Sequence, residues 1–96
     1  MNKKSTHTLR VSGQVSELIR TMHPHLKKRV RAALKVILAD PSSGKTLRNE
    51  LAGLQSYRVG SFRIIYRLSG KVIELVAIGP RKMIYGETYK ILKKTR

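Results

Sequence analysis

Ser56-Tyr57-Arg58-Val59-Gly60-Ser61-Phe62-Arg63-Ile64-Ile65-Tyr66-Arg67 decides how this chain folds. Two runs rich in β-branched and aromatic residues flank Gly60-Ser61, a tight-turn dipeptide. A two-residue turn there sets Val59 opposite Phe62 and Arg58 opposite Arg63. Like charges directly across a ladder are unfavourable. A bound anion such as phosphate is the obvious way to offset that cost, so the hairpin points to function as well as to fold.

C-terminal to the hairpin the strand period continues. Residues 57–59, 62–68 and 71–78 read as three strands, the last two joined by Ser69-Gly70. Pairing Leu68 with Lys71 predicts one apolar face made of Phe62, Ile64, Tyr66, Leu68, Ile73, Leu75 and Ala77. The other face would carry Arg58, Arg63, Ile65, Arg67, Val72, Glu74, Val76 and Ile78, with its arginines partly shielded from water. Beyond Gly79-Pro80 comes Arg81-Lys82-Met83-Ile84-Tyr85, and residues 87–94 read as a short terminal helix.

N-terminal to the hairpin, residues 8–11 read as a first strand and Ser12 as a helix N-cap. Val15, Leu18, Ile19 and Met22 then recur at helical spacing. Pro24 interrupts the pattern, and a second helix carries Leu26, Val30, Ala33, Leu34, Ile37 and Leu38 on one face. Asp40-Pro41-Ser42-Ser43-Gly44 ends it and opens a loop reaching to about Gln55. The expected architecture is α+β: a first strand and an antiparallel helix pair packed on one face of a mainly antiparallel four-stranded sheet, with a short C-terminal helix. Residues 1–96 read as a single domain, a length that buries roughly two-thirds of the unfolded chain's surface.

The chain holds 21 Lys and Arg against 5 Asp and Glu, a formal net charge of +16. A field of that sign on so small a molecule draws polyanions and speeds their encounter. Nucleic acid, the ribosome or an acidic protein are the partners it suits. The basic residues run through the whole chain and not along one amphipathic helix, which disfavours a membrane surface. There are no cysteines, so disulfides, thiolate metal sites and cysteine nucleophiles are excluded, and the composition is compatible with a cytoplasmic location. The basic residues 1–7 precede no apolar segment, and the longest apolar run, 72–78, is broken by Glu74. Neither a signal peptide nor a membrane span is expected.

These features together resemble the RelE/ParE toxin superfamily over about residues 9–92. The likeness rests on the element order, the loop from Asp40-Pro41 to Leu54, the arginine and aromatic pattern from Tyr57 to Arg67, and Ile78-Gly79-Pro80-Arg81 with Tyr85 after it. It implies the toxin of a type II toxin-antitoxin pair with a RelE-like, microbial-ribonuclease-like fold, held in a hetero-oligomer with a cognate antitoxin. RelE-like members cut mRNA in the ribosomal A site without metal or other cofactor; ParE-like members inhibit DNA gyrase and have no nuclease activity. By this resemblance Arg63 corresponds to the arginine at the scissile phosphate and Arg81 to the second catalytic arginine. Tyr85 corresponds to a terminal tyrosine, for which Tyr89 is a rival. Arg58 matches a basic residue frequent in the family. Two departures stand out: Pro80 replaces a histidine that many members have before the second arginine, and Leu54, Gln55 and Ser56 stand where some nucleases carry lysines.

Metal-free RNA cleavage requires charge stabilisation at the phosphoryl oxygens, and an arginine fork binds two oxygens at once while staying charged. Arg63, Arg81 and Tyr85 are therefore the expected catalytic residues, with Arg58, Arg67 and Lys82 as further phosphate contacts. Lys27, Lys28 and Arg31 on the second helix would touch ribosomal RNA phosphates or simply be solvated. The plain alternative for Arg63 is a cross-strand ion pair with Glu74. His7, His23 and His25 read as surface histidines, since no clustered Cys, Asp or Glu suggests a metal site. Three functions compete: ribosome-dependent mRNA endonuclease, ParE-like gyrase inhibitor, and basic nucleic-acid-binding protein without toxicity.

Overall fold

The computed structural model describes residues 7–94. Residues 1–6, which carry most of the expectation of a missing signal segment, lie outside them. Strand β1 (Thr8–Val11) leads into helix α1 (Gly13–Arg20), whose N-cap is Ser12: its Oγ accepts from the Val15 amide at 3.1 Å. Helix α2 (Pro24–Ala39) starts with proline in its first turn, where the missing N–H costs no helical bond. His23 Nδ1 accepts from the His25 amide at 3.2 Å and caps it. Asp40 stops α2 and in turn caps a single 3-10 turn, Pro41–Ser43.

The sheet has five strands in the order β1-β5-β4-β3-β2, where β2 is Lys45–Thr46, β3 Gln55–Val59, β4 Phe62–Ser69 and β5 Val72–Pro80. β1 runs parallel to β5 and every other pairing is antiparallel. The four expected strands are present. The fifth, β2, is two residues inside the expected loop, pairing Lys45 with Ser56 and Thr46 with Gln55.

Two features of the β4–β5 pairing depart from expectation. The turn lies one residue later, at Gly70 and Lys71, so that Ser69 pairs with Val72 and Leu68 with Ile73, not Lys71. Further along, Tyr66 pairs with Leu75 but Ile65 with Ala77, leaving Val76 as the extra residue of a bulge. Beyond the bulge, the faces of β5 are reversed. Ile78 turns into the core beneath the helix pair and Ala77 turns to the opposite face, each the reverse of the expected assignment.

The sheet therefore lies between two cores. On one face α1 and α2 bury Val15, Val30, Ala33 and Ile37 against Val59, Ile64, Tyr66, Ile73, Leu75 and Ile78. Leu68, expected in this core, is 42% exposed at the far end of β4. On the other face helix α3 (Arg81–Lys94) sets Ile84 against Leu54, Ile65 and Ala77. That helix is six residues longer at its start than the pattern predicts, because Pro80 sits just outside its first turn and does not break it. The core side chains that are fully buried each stabilise the fold by about 1.5–3 kcal/mol. No helix among the described residues is long and apolar enough to cross a membrane.

Candidate functional site

The β3–β4 hairpin forms as its sequence dictates: Val59 pairs with Phe62 and Arg58 with Arg63, across a turn whose first residue, Gly60, has φ 62°. That left-handed conformation is readily open to glycine and strained for most side chains. Arg58 and Arg63 share the face that α3 crosses. Their surroundings differ, however. Arg58 is exposed and its Nε donates to the carbonyl of Gly60 at 3.3 Å. Arg63 is half-buried, its Nη1 reaches Ser56 Oγ only at a long 3.5 Å, and its Nε is buried without any hydrogen-bond partner.

On its other side Arg63 pairs with Gly79. The absence of a side chain there matters, since a Cβ on residue 79 would lie 3.1 Å from Ile84 Cδ1. α3 can thus start close over the sheet. The Arg81 amide donates to the Ser61 carbonyl at 2.9 Å, tying the first residue of α3 to the hairpin turn. Arg81 and Tyr85 are four residues apart and so occupy one stripe of the helix. The Tyr85 hydroxyl lies 3.2 Å from Ser56 Oγ, the atom that Arg63 approaches. Beside it Tyr85, Tyr89, Glu50 and Leu51 border a small cavity of about 360 Å³.

Arg58, Arg63, Arg81 and Tyr85 are therefore brought to one end of the sheet, with Lys82 exposed next to Arg81. Arg67 is not with them. It lies four residues along β4 from Arg63, about 13 Å at strand rise, and its Nη2 pairs with Glu74 Oε1 at 2.8 Å. Glu74 also holds Arg10 at 3.0 Å. The ion pair considered as the alternative for Arg63 is thus formed by Arg67 and Arg10 instead. Lys27, Lys28 and Arg31 belong to α2 on the other side of the sheet.

Two contributors escape a reading of the sequence alone. Ser56 is buried and links Arg63 to Tyr85; its strand parity with Arg58 was the available signal. Arg29 reads as part of the solvated face of α2, yet its guanidinium lies against Gly60: Nη1 is 3.1 Å from where a Cβ on that residue would be. Among the described residues no group of three or more His, Cys, Asp or Glu could hold a metal ion.

Such a site concentrates positive charge without matching acid. Of the five acidic residues, Glu17 pairs with Arg20, Asp40 caps the 3-10 turn and Glu74 holds Arg10 and Arg67. None of the five forms an ion pair with Arg58, Arg63 or Arg81. An unpaired buried donor is rare, and an ordered water or an acceptor from another molecule can satisfy it.

Solved structures share this architecture. The toxin-antitoxin complex RelBE2 from Mycobacterium tuberculosis contains a chain 26% identical to this one, with TM-score 0.69, covering 78% of this chain and 98% of that one. A double mutant of the E. coli toxin RelE in the free state matches at 16% identity and TM-score 0.74, over 93% of this chain and 96% of its own. A chain of the archaeal RelE-RelB complex from Pyrococcus horikoshii matches at 21% identity and TM-score 0.65, over 79% and 96%. The latter two establish the fold alone. No curated protein matches the sequence. The model of the family described as ParE toxin of type II toxin-antitoxin system, parDE, matches residues 10–85. With both cores, the hairpin and the first turn of α3 inside that span, the chain belongs to the ParE toxin family of the RelE/ParE superfamily, the toxins of type II toxin-antitoxin systems.

Proposed function

We propose that the protein arrests translation in the cytoplasm by cutting ribosome-bound mRNA without a metal. The observation that carries this reading is Arg63, half-buried with its Nε unpartnered, beside a helix that presents Arg81 and Tyr85 on one stripe. In the proposed reaction the ribose 2′-hydroxyl gives its proton to solvent water and its oxygen bonds to the adjacent phosphorus as the bond to the 5′-oxygen breaks, leaving a 2′,3′-cyclic phosphate. Arg63 and Arg81 hold the phosphoryl oxygens through the charged transition state, with Arg58 in support. The Tyr85 hydroxyl, beside Ser56, hands a proton to the departing 5′-oxygen and regains one from solvent water. Primer extension on translated mRNA after induction tests this: cuts phased with codons are expected, and intact mRNA with normal protein synthesis would rule it out.

A second reading has its own support. The matching family model is that of ParE, and Pro80, Leu54, Gln55 and Ser56 depart from the nuclease pattern. A ParE-like inhibitor would block gyrase supercoiling in a purified assay and leave mRNA uncut. Under either reading a cognate antitoxin neutralises the protein by covering the arginine face or displacing α3, as a tight hetero-oligomer. Coexpression with the neighbouring open reading frame should restore growth and yield a copurifying complex; failure of both would remove the antitoxin from the reading.

A further inference from the structure

Gly60 is flanked by two guanidinium groups from different elements. Arg58 Nε donates to its carbonyl at 3.3 Å, while Arg29 comes from α2, with Nη1 and Nη2 3.1 and 3.3 Å from where a Cβ on Gly60 would stand. The Arg29 side chain makes no hydrogen bond or ion pair with any described residue. An exposed arginine normally gains rotamer freedom by extending into water, and a second cation close by is a further reason to do so. Here the guanidinium instead rests on a turn that already carries Arg58. Because Gly60 has no side chain, the Arg29 guanidinium can lie directly against the turn, where a Cβ would crowd it.

We infer that Arg29 forms, beside Gly60, a second phosphate site, which takes a backbone phosphate of single-stranded RNA neighbouring the one gripped by Arg63 and Arg81, with Arg58 standing between the two. The inference rests on the RNA-cutting reading and extends it from one phosphate to the path of the strand. The RNA crosses the hairpin turn from the α3 face toward α2. A contact of this kind positions the strand and reads no sequence. Lys82 and the exposed α2 cations lie off this path and contribute only to the general field.

The test is the salt dependence of binding by the full chain to a single-stranded 2′-O-methyl RNA oligonucleotide, which cannot be cut because its 2′-oxygens are blocked. Each phosphate contact on a single strand contributes about 0.7 to the slope of log Kobs against log salt. Arg29→Ala and Arg63→Ala should each lower that slope by about 0.7, and the double variant by about 1.4. Arg29→Lys, which keeps the charge, should preserve the slope. If Arg29→Ala leaves the slope unchanged while Arg63→Ala lowers it, or if the two effects do not add, there is no second phosphate site although RNA still binds. If the unaltered protein shows no salt-dependent binding, the RNA-cutting reading itself falls along with the site.

Discussion

Arg63 and Arg67 leave the same face of the same strand, four residues apart, and meet opposite fates. Arg67 pairs with Glu74 at 2.8 Å and is half in solvent; Arg63 is more enclosed and has no acidic partner among the described residues. The difference arises from their neighbours on β5. Glu74 stands opposite Arg67, whereas the bulge at Val76 brings Gly79 opposite Arg63. Glycine offers neither charge nor bulk, so the space beside Arg63 is filled by α3 and by the serine and tyrosine it positions. One arginine is a structural ion pair. The other keeps a buried Nε with no hydrogen-bond partner among the described residues, and that is what distinguishes it.

The largest effect separating them should be in activity. Arg63→Ala and Arg81→Ala are each expected to reduce cleavage of translated mRNA about 100- to 1,000-fold, while Arg67→Ala leaves it near the original level. Thermal unfolding should show no loss of stability in Arg63→Ala, since the change removes a buried unpaired donor and an opposed like charge. Equal losses of cleavage from Arg63→Ala and Arg67→Ala would erase the contrast.

Tyr85→Phe sharpens the same comparison from the side of α3. Cleavage should fall about 100-fold if the hydroxyl transfers a proton, within the range for one acid-base group. Retained cleavage with the phenylalanine ring in place would show that only the aromatic ring is needed.

A second buried polar group calibrates what full satisfaction is worth. The Tyr66 hydroxyl donates to the Pro41 carbonyl at 2.7 Å, with Gln55 Oε1 at 3.0 Å, and accepts from the Gly44 amide at 3.0 Å. Tyr66→Phe leaves those partners without it and should cost about 1–3 kcal/mol in urea denaturation. Burial pushes the Tyr66 pKa up, so the folded protein holds the phenolic proton where the unfolded chain releases it. The contribution is complete below about pH 10, the value of a free tyrosine, and is lost as pH rises through the folded-state pKa. The gap in denaturation midpoint between Tyr66→Phe and the unaltered protein should therefore narrow only in strong alkali. A constant gap across that range would remove Tyr66 as the titrating group.

The smallest effect concerns Glu74. Glu74→Gln frees Arg67 and Arg10, costs under ~1 kcal/mol because both pairs are near the surface, and leaves cleavage intact. A large drop in cleavage would mean that Arg67 is not a spectator.

Much of the fold and the site was legible in the sequence, and the pieces that were not share a cause. The opposed Arg58 and Arg63, the helix pair and the Ser12 cap come from local chemistry, namely a two-residue turn, a 3.6 period and a side-chain oxygen at a helix start. The bulge at Val76 does not. It is fixed by small residues, Ala77 and Gly79, fitting beneath a helix that begins beyond them. The start of α3 is hidden in the same way, because Gly79-Pro80 reads as an interruption until the helix is seen to start after the proline. β2 is two residues long and has no pattern of its own. Arg29 reaches Gly60 across 31 residues of sequence, a contact no local spacing encodes.

β1 has one neighbour in the sheet, β5, which is the last of the five strands in sequence order. The first strand made on the ribosome must therefore wait for the last before it has anything to pair with, and closure of the sheet is a long-range event late in folding. Arg81 and Tyr85 emerge later still. Arg63 therefore gains Gly79 and Tyr85 as neighbours only once β5 and α3 have joined the sheet.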